Sequence, residues 1–166
     1  MRYLAKDRMP DLLWSEVKSF FDPDQMGALP DVYVPDAVVE DWQALFDLIR
    51  SRGWEWKYAE GDSTRQMPYA AEILSRSPDE GFTTLHVWPV PGVAVVCFLE
   101  TAAEIDFQVD LRELQGQAGV DTLFDFLCTI GRRLGKPVLM CGEFGSRVPV
   151  LGFDPTVDCV VLLADP

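Results

Sequence analysis

The sequence predicts a single α+β domain over residues 1–166, built from a mainly antiparallel sheet with helices packed on one side. The length of 166 residues suits one domain, which would bury about 70% of the surface that its unfolded chain exposes. Hydrophobic residues make up 48% of the chain, which is enough for a packed core. Helical and strand patterns occur in blocks rather than in regular alternation, which favours an α+β fold over a parallel α/β sheet.

The first sixty residues contain two helical and two extended patterns. An amphipathic helix is predicted at about 11–21, and a short strand follows at 31–34. A stronger helical pattern covers 35–53, where Gly53 stands in the position that ends a helix. Residues 54–58 then alternate strictly between apolar and charged side chains, which predicts a strand.

The strand at 54–58 carries large aromatic side chains on one side, namely Trp54, Trp56 and Tyr58. Aromatic residues of a strand usually pack in the core. On an exposed side they would instead anchor a protein interface, because Trp and Tyr dominate interface energetics. The sequence leaves both interpretations open, so Trp54 and Trp56 are counted as candidate partner-binding residues.

A β-hairpin is predicted where strands at 82–90 and 93–99 flank the dipeptide Pro91-Gly92. The second strand is apolar at every position, which predicts a central strand covered on both faces. If the turn has two residues, His86 lies directly opposite Cys97. Such a pair could form an activated thiolate in a pocket, or a hydrogen-bonded core histidine could simply stand beside an inert cysteine.

The next predicted strand, 104–110, carries an acidic row: Glu104, Asp106 and Asp110 share one side, which we expect to be wet. Carboxylates two residues apart on a strand lie about 6.5–7 Å apart. The row therefore fits a solvated face, a surface for cationic partner side chains, or a carboxylate pair for acid catalysis or a hard cation. With Glu100 at its edge, we interpret it as a partner-binding face.

Two further helices and three strands complete the predicted elements. A brief helix is predicted at 69–75, and a longer one runs from Asp121, as its N-cap, to Leu134. The predicted strands of the tail are Val138–Cys141, Val148–Gly152 and Val157–Leu163.

The charge of the chain restricts its partners. The formal net charge is −13, and between Gly61 and Asp110 eight acidic residues face only two basic ones, Arg65 and Arg76. This balance argues against binding to nucleic acid or to an anionic membrane surface, both of which need clustered Lys and Arg. A basic protein partner is favoured instead.

The sequence contains few features that indicate a cellular location or a catalytic activity. Four widely spaced cysteines lie in apolar segments and are predicted to be buried free thiols, and no signal-peptide core or bilayer-length apolar run is present. These features predict a cytoplasmic protein. No nucleotide-binding, nucleophile-elbow or metal-binding fingerprint occurs, so neither a cofactor, a metal site nor catalytic residues are predicted. The cysteines are Cys97, Cys128, Cys141 and Cys159.

Small size, acidity and α+β organisation combine with three runs, FFDPDQMGALPDVYVPDAVVEDWQALFDLI, EIDFQVDLREL and LGKPVLM. In these features the chain resembles single-domain bacterial proteins of unassigned activity, and in character it is similar to immunity proteins that neutralise polymorphic toxins. The resemblance implies a stoichiometric inhibitor that docks its acidic face on a basic toxin. The rival interpretation is a small-molecule-binding protein or enzyme with a pocket near His86 and Cys97.

Overall fold

A computed structural model of the chain describes residues 12–76, 81, 83–143 and 147–166. Within them, five α-helices accompany one nine-stranded antiparallel sheet, so the predicted α+β fold is confirmed. The strands are β1 (Asp31–Val34), β2 (Glu55–Glu60), β3 (Ser63–Arg65), β4 (Thr83–Val90), β5 (Val93–Phe98), β6 (Ile105–Val109), β7 (Val138–Cys141), β8 (Pro149–Asp154) and β9 (Cys159–Leu162). The helices are α1 (Trp14–Val17), α2 (Pro23–Met26), α3 (Val39–Arg52), α4 (Ala70–Leu74) and α5 (Gly116–Leu134).

The strand order places the first strand of the chain in the interior of the sheet. The order is β3-β2-β4-β5-β6-β1-β7-β8-β9. β1 pairs with β6 on one side and with β7 on the other, both antiparallel. It therefore joins a sheet half built from β2 to β6 to a half built from β7 to β9.

The core lies between one face of the sheet and the helices. Along β6, Ile105, Phe107 and Val109 are almost completely buried, and Phe126 of α5 packs edge-to-face on Phe107, with ring centroids 5.4 Å apart. α5 contacts β4, β7, β8 and β9, and α3 packs beside it. We call this helix-covered side the inner face and the opposite side the outer face.

Gly131 of α5 allows close contact between that helix and β8. A Cβ atom built on Gly131 would lie 2.1 Å from Cδ2 of Phe153, which is almost completely buried. We expect Gly131→Ala to lower the free energy of unfolding by about 1–2 kcal/mol, although alanine has the better helix propensity. Urea unfolding followed by tryptophan fluorescence measures this change, with exposed Arg133→Ala on the same helix as the control. A gain in stability would contradict the predicted overlap.

Several predicted elements differ from the structure. The helix predicted at 11–21 is divided into α1 and a 3₁₀ turn, Lys18–Phe21, and residue 11 lies outside the described residues. α5 begins at Gly116 with Gln115 as N-cap, so the N-cap predicted at Asp121 is wrong. The early start places Gly119 against the backbone of Leu114, where a Cβ would lie 2.1 Å from its carbonyl carbon. The sequence pattern does not predict this first turn of α5, because the turn contains Gly116 and Gly119 and glycine disfavours helix.

The predicted hairpin is present as β4 and β5, although Phe82, the first residue predicted for it, lies outside the described residues. β5 is an interior strand, but the prediction that it is covered on both faces is wrong. Val93, Val95 and Cys97 are buried on the inner face, whereas the alternate residues are half-buried on the outer face. The outward apolar residues of β5 therefore lie on a half-buried outer face, and in the described part of the chain no second layer of helices covers them.

A short strand and the lengths of the helices are the remaining features of the fold. Between the strand predicted at 54–58 and the helix predicted at 69–75, the structure contains β3, whose three residues are all exposed and carry no hydrophobic periodicity. No helix in the described part of the chain combines the length and apolarity needed to cross a membrane.

Candidate interaction face

The strand registers align side chains across the outer face. One row crosses all nine strands, because each residue in it is the paired neighbour of the next. Neighbouring strands lie about 4.8 Å apart, so these side chains form one continuous surface. From β3 to β9 the row is Thr64, Ala59, Thr84, Phe98, Asp106, Tyr33, Leu139, Gly152 and Val161.

Arg147 lies over the acidic row at the middle of this face. Its Nη1 is 2.5 Å from Oε1 of Glu104, and its Nη2 is 2.6 Å from Oδ1 of Asp106. The guanidinium carbon also stands 3.9 Å from the centroid of the Tyr33 ring, as a cation–π contact. Both carboxylate side chains are only about a quarter exposed, at 24% and 25%. The outward side of β6 is thus less exposed to solvent than predicted.

Around Arg147, carboxylates outnumber the single guanidinium group. Asp31, on the neighbouring strand β1, acts electrostatically on the same groups. Burial raises the pKa of Asp106, and the hydrogen bond from Arg147 offsets only part of that increase. Burial likewise raises the pKa of Asp31, against the lowering effect of Arg147. We call Asp31, Tyr33, Glu104, Asp106 and Arg147 the Arg147 cluster.

The other two acidic candidates lie apart from the Arg147 cluster. Asp110 accepts two hydrogen bonds from the guanidinium of Arg112, at 2.9 and 2.8 Å, and a third from the Arg112 backbone N–H at 3.0 Å. These bonds hold the pKa of Asp110 below its usual range. Glu100 is exposed in the connection between β5 and β6. The structure therefore brings Glu104 and Asp106 together and leaves Asp110 with a separate partner.

The two candidate tryptophans lie on the inner side of the sheet, Trp56 within β2 and Trp54 directly before it. Trp56 pairs in register with buried Val87, and the Trp54 ring stacks on Phe126 with centroids 5.7 Å apart. Both are partly buried and pack against the core. The aromatic stripe and the acidic row consequently lie on opposite sides of the sheet and do not form one surface.

The predicted pairing of His86 with Cys97 is wrong. Val90 pairs with Val93 as expected, but a register shift between Val87 and Val90 places His86 opposite Val96. Pro89 lies within this shift and has no N–H to continue the hydrogen-bond ladder. His86 therefore lies on the outer face, where it stacks on Trp88.

Burial of Cys97 favours the inert cysteine over the activated thiolate, the two alternatives that the sequence left open. Cys97 is fully buried on the inner face, and this burial raises the pKa of its thiol far above the usual value. The structure contains a cavity beside His86, but Cys97 is not among its lining residues. The described residues also hold no group of three or more His, Cys, Asp or Glu side chains placed to bind a metal ion.

Sequence reasoning missed Arg147, the residue on which the arrangement of the acidic row depends. It lies 41 residues after Asp106 and belongs to no motif or periodic segment. Only the pairing of β1 with both β6 and β7 brings the segment before β8 to the acidic row. No local signal in the sequence could have identified it.

Comparisons with known proteins return nothing similar to this chain. No protein-family model, no curated protein and no solved structure matches it.

Proposed function

We propose that the chain is a non-enzymatic protein-binding module, an immunity-type inhibitor whose outer face binds a basic partner such as a toxin domain. One observation carries the proposal: the Arg147 cluster holds three carboxylates and one guanidinium in the middle of a sheet face that none of the described helices covers. A basic group of a partner would complete the neutralisation of these carboxylates.

Aromatic side chains within and beside the cluster support the same function. Phe98 pairs in register with Asp106 on one side, and Tyr33 pairs with it on the other. Protein interfaces characteristically combine aromatic anchors near the centre with charged groups that fix orientation. The outer face offers both within one row of strands, where Phe98 is half-buried beside the charged groups and Tyr33 is buried beneath Arg147.

The net charge of −13 supports capture of a basic partner in solution. Opposite charges steer two proteins towards each other and raise the association rate, most strongly at low salt. We place this function in the cytoplasm. The four cysteines, all free in the structure, are consistent with a reducing compartment.

The test is purification of the chain from its native host at low salt, followed by identification of the bound protein and an inhibition assay. We expect a basic toxin-like protein in stoichiometric amount, released by high salt and inactivated when the purified chain is added back. A bound protein whose activity survives the addition would contradict the inhibitor function. Recovery of the chain without any bound protein across salt concentrations would contradict protein binding altogether.

A further inference from the structure

A cavity of about 390 Å³ opens on the outer face where β2, β3 and β4 meet. This size is within the range of small-molecule sites. Its lining combines aromatic, hydroxyl, cationic and small side chains rather than a single chemical type. The lining residues are Lys57, Ala59, Gly61, Asp62, Thr64, Thr84, His86 and Trp88, and we call the cavity the His86 groove.

The strand register gives the His86 groove two different ends. At one end, Lys57 pairs with His86, whose ring stacks on that of Trp88 with centroids 6.0 Å apart and planes inclined by 24°. This stacked pair lines one end of the groove next to an ammonium group, and we call it the aromatic wall. In the middle, Ala59 lies between Thr64 and Thr84, which pair with it from the two neighbouring strands. The small alanine leaves room above the sheet, and the threonines supply hydroxyl groups.

Lys57 is an available cation in a strongly acidic chain. Among the described residues, no carboxylate lies within ion-pair distance of its Nζ. Glu55 shares the outer side of β2 but forms no ion pair with it, and Asp62 follows the turn at Gly61, about 13 Å along the strand from Lys57. The aromatic wall therefore lies next to the positive charge of Lys57. Asp62, the one carboxylate that lines the groove, lies at the other end.

We propose that the His86 groove binds a small planar aromatic carboxylate. The ring of the ligand packs on the wall formed by His86 and Trp88, because aromatic rings favour offset stacking. The carboxylate accepts a charge-assisted hydrogen bond from Nζ of Lys57. This site is separate from the Arg147 cluster and does not depend on the proposed inhibitor function.

The single histidine of the chain provides a direct test by proton NMR. Its imidazole C–H signals need no assignment by mutation, and they report on the aromatic wall itself. At constant pH, we expect indole-3-acetate to shift them in a saturable way. Tryptamine, which has the same ring and a positive charge, and acetate, which has the charge without the ring, should leave them in place. An equal response to tryptamine or to acetate would overturn the proposal.

A pair of variants separates binding in the groove from general charge effects. Lys57→Gln should weaken indole-3-acetate binding at least about tenfold, which corresponds to the loss of one charge-assisted contact. Lys18→Gln changes an exposed lysine that also lacks an ion pair in the described part of the chain, and it should have no effect. Unchanged binding by Lys57→Gln would exclude the groove as the site. Because no protein partner is used, failure here leaves the inhibitor proposal standing.

Discussion

Arg147→Glu is expected to lower the free energy of unfolding by about 2–3 kcal/mol at neutral pH. The substitution leaves Glu104 and Asp106 half-buried without a cation and adds another carboxylate beside them. Removing one partner of a fully buried pair costs about 3–5 kcal/mol. The expected loss is smaller because the Arg147 side chain is 41% exposed and solvent screens the interaction. Urea unfolding measures it.

The same variant should recover stability as the pH falls from 7 towards 4. In the native protein, burial already raises the pKa of Asp106 and of Asp31, and Arg147 lowers both. Loss of the guanidinium therefore raises these pKa values further. Between the unfolded and folded pKa values the native state binds more protons than the unfolded state, so the free energy of unfolding increases on acidification. Unfolding curves at neutral and acidic pH should show the penalty shrinking.

Arg112→Glu is the matched control for Arg147→Glu. Arg112 also pairs with a member of the acidic row, Asp110, but its side chain is 66% exposed. Exposed ion pairs contribute little to stability, so this variant should unfold close to the wild type. Equal losses for the two arginines, or a penalty for Arg147→Glu that does not change with pH, would contradict the interpretation of the cluster as a partly desolvated charge centre.

The fold could be predicted where the information was local. α3 ends at Gly53 in the left-handed conformation, as the sequence indicated, and the apolar and acidic residues of β6 lie on opposite sides of the strand. Hydrophobic periodicity and glycine positions determine such features within a few residues. The strand order depended instead on which distant strands pair, and no single segment of the sequence contains that information.

The candidate site was predictable only in part, for the same reason. Alternation identified the acidic row, but not the cation above it, because Arg147 reaches Asp106 through the pairing of β1 with β7. A one-step register shift at Pro89 was enough to move His86 away from Cys97, since successive side chains of a strand point to opposite faces. The outward side of β6 was expected to face solvent, whereas Arg147 lies against Glu104 and Asp106 and their side chains are only about a quarter exposed.

Added positive charge on the acidic row should slow association with the proposed basic partner by about 10- to 100-fold at low salt, within the range of electrostatic steering. Asp110→Lys, directly after β6, reverses one charge of the row, and Gln108→Lys, within β6, adds one positive charge to it; we call the two the β6 variants. The Gln108 side chain forms no hydrogen bond or ion pair with any described residue, so its replacement leaves Arg147 with both of its carboxylate partners. Stopped-flow or surface-binding kinetics with the captured partner measures the association rate.

Glu40→Lys provides the control for this experiment, because it changes the net charge by the same amount as Asp110→Lys but lies on α3, which packs beside α5 over the inner face. If the outer face makes the contact, Glu40→Lys should slow association far less than either β6 variant, and the difference should diminish as salt screens the charges. Slowing in proportion to the change in net charge, equal for Glu40→Lys and Asp110→Lys and smaller for Gln108→Lys, would mean that net charge alone attracts the partner. Unchanged rates for both β6 variants at low salt would remove the acidic row from the interface, and with it the observation on which the inhibitor proposal rests.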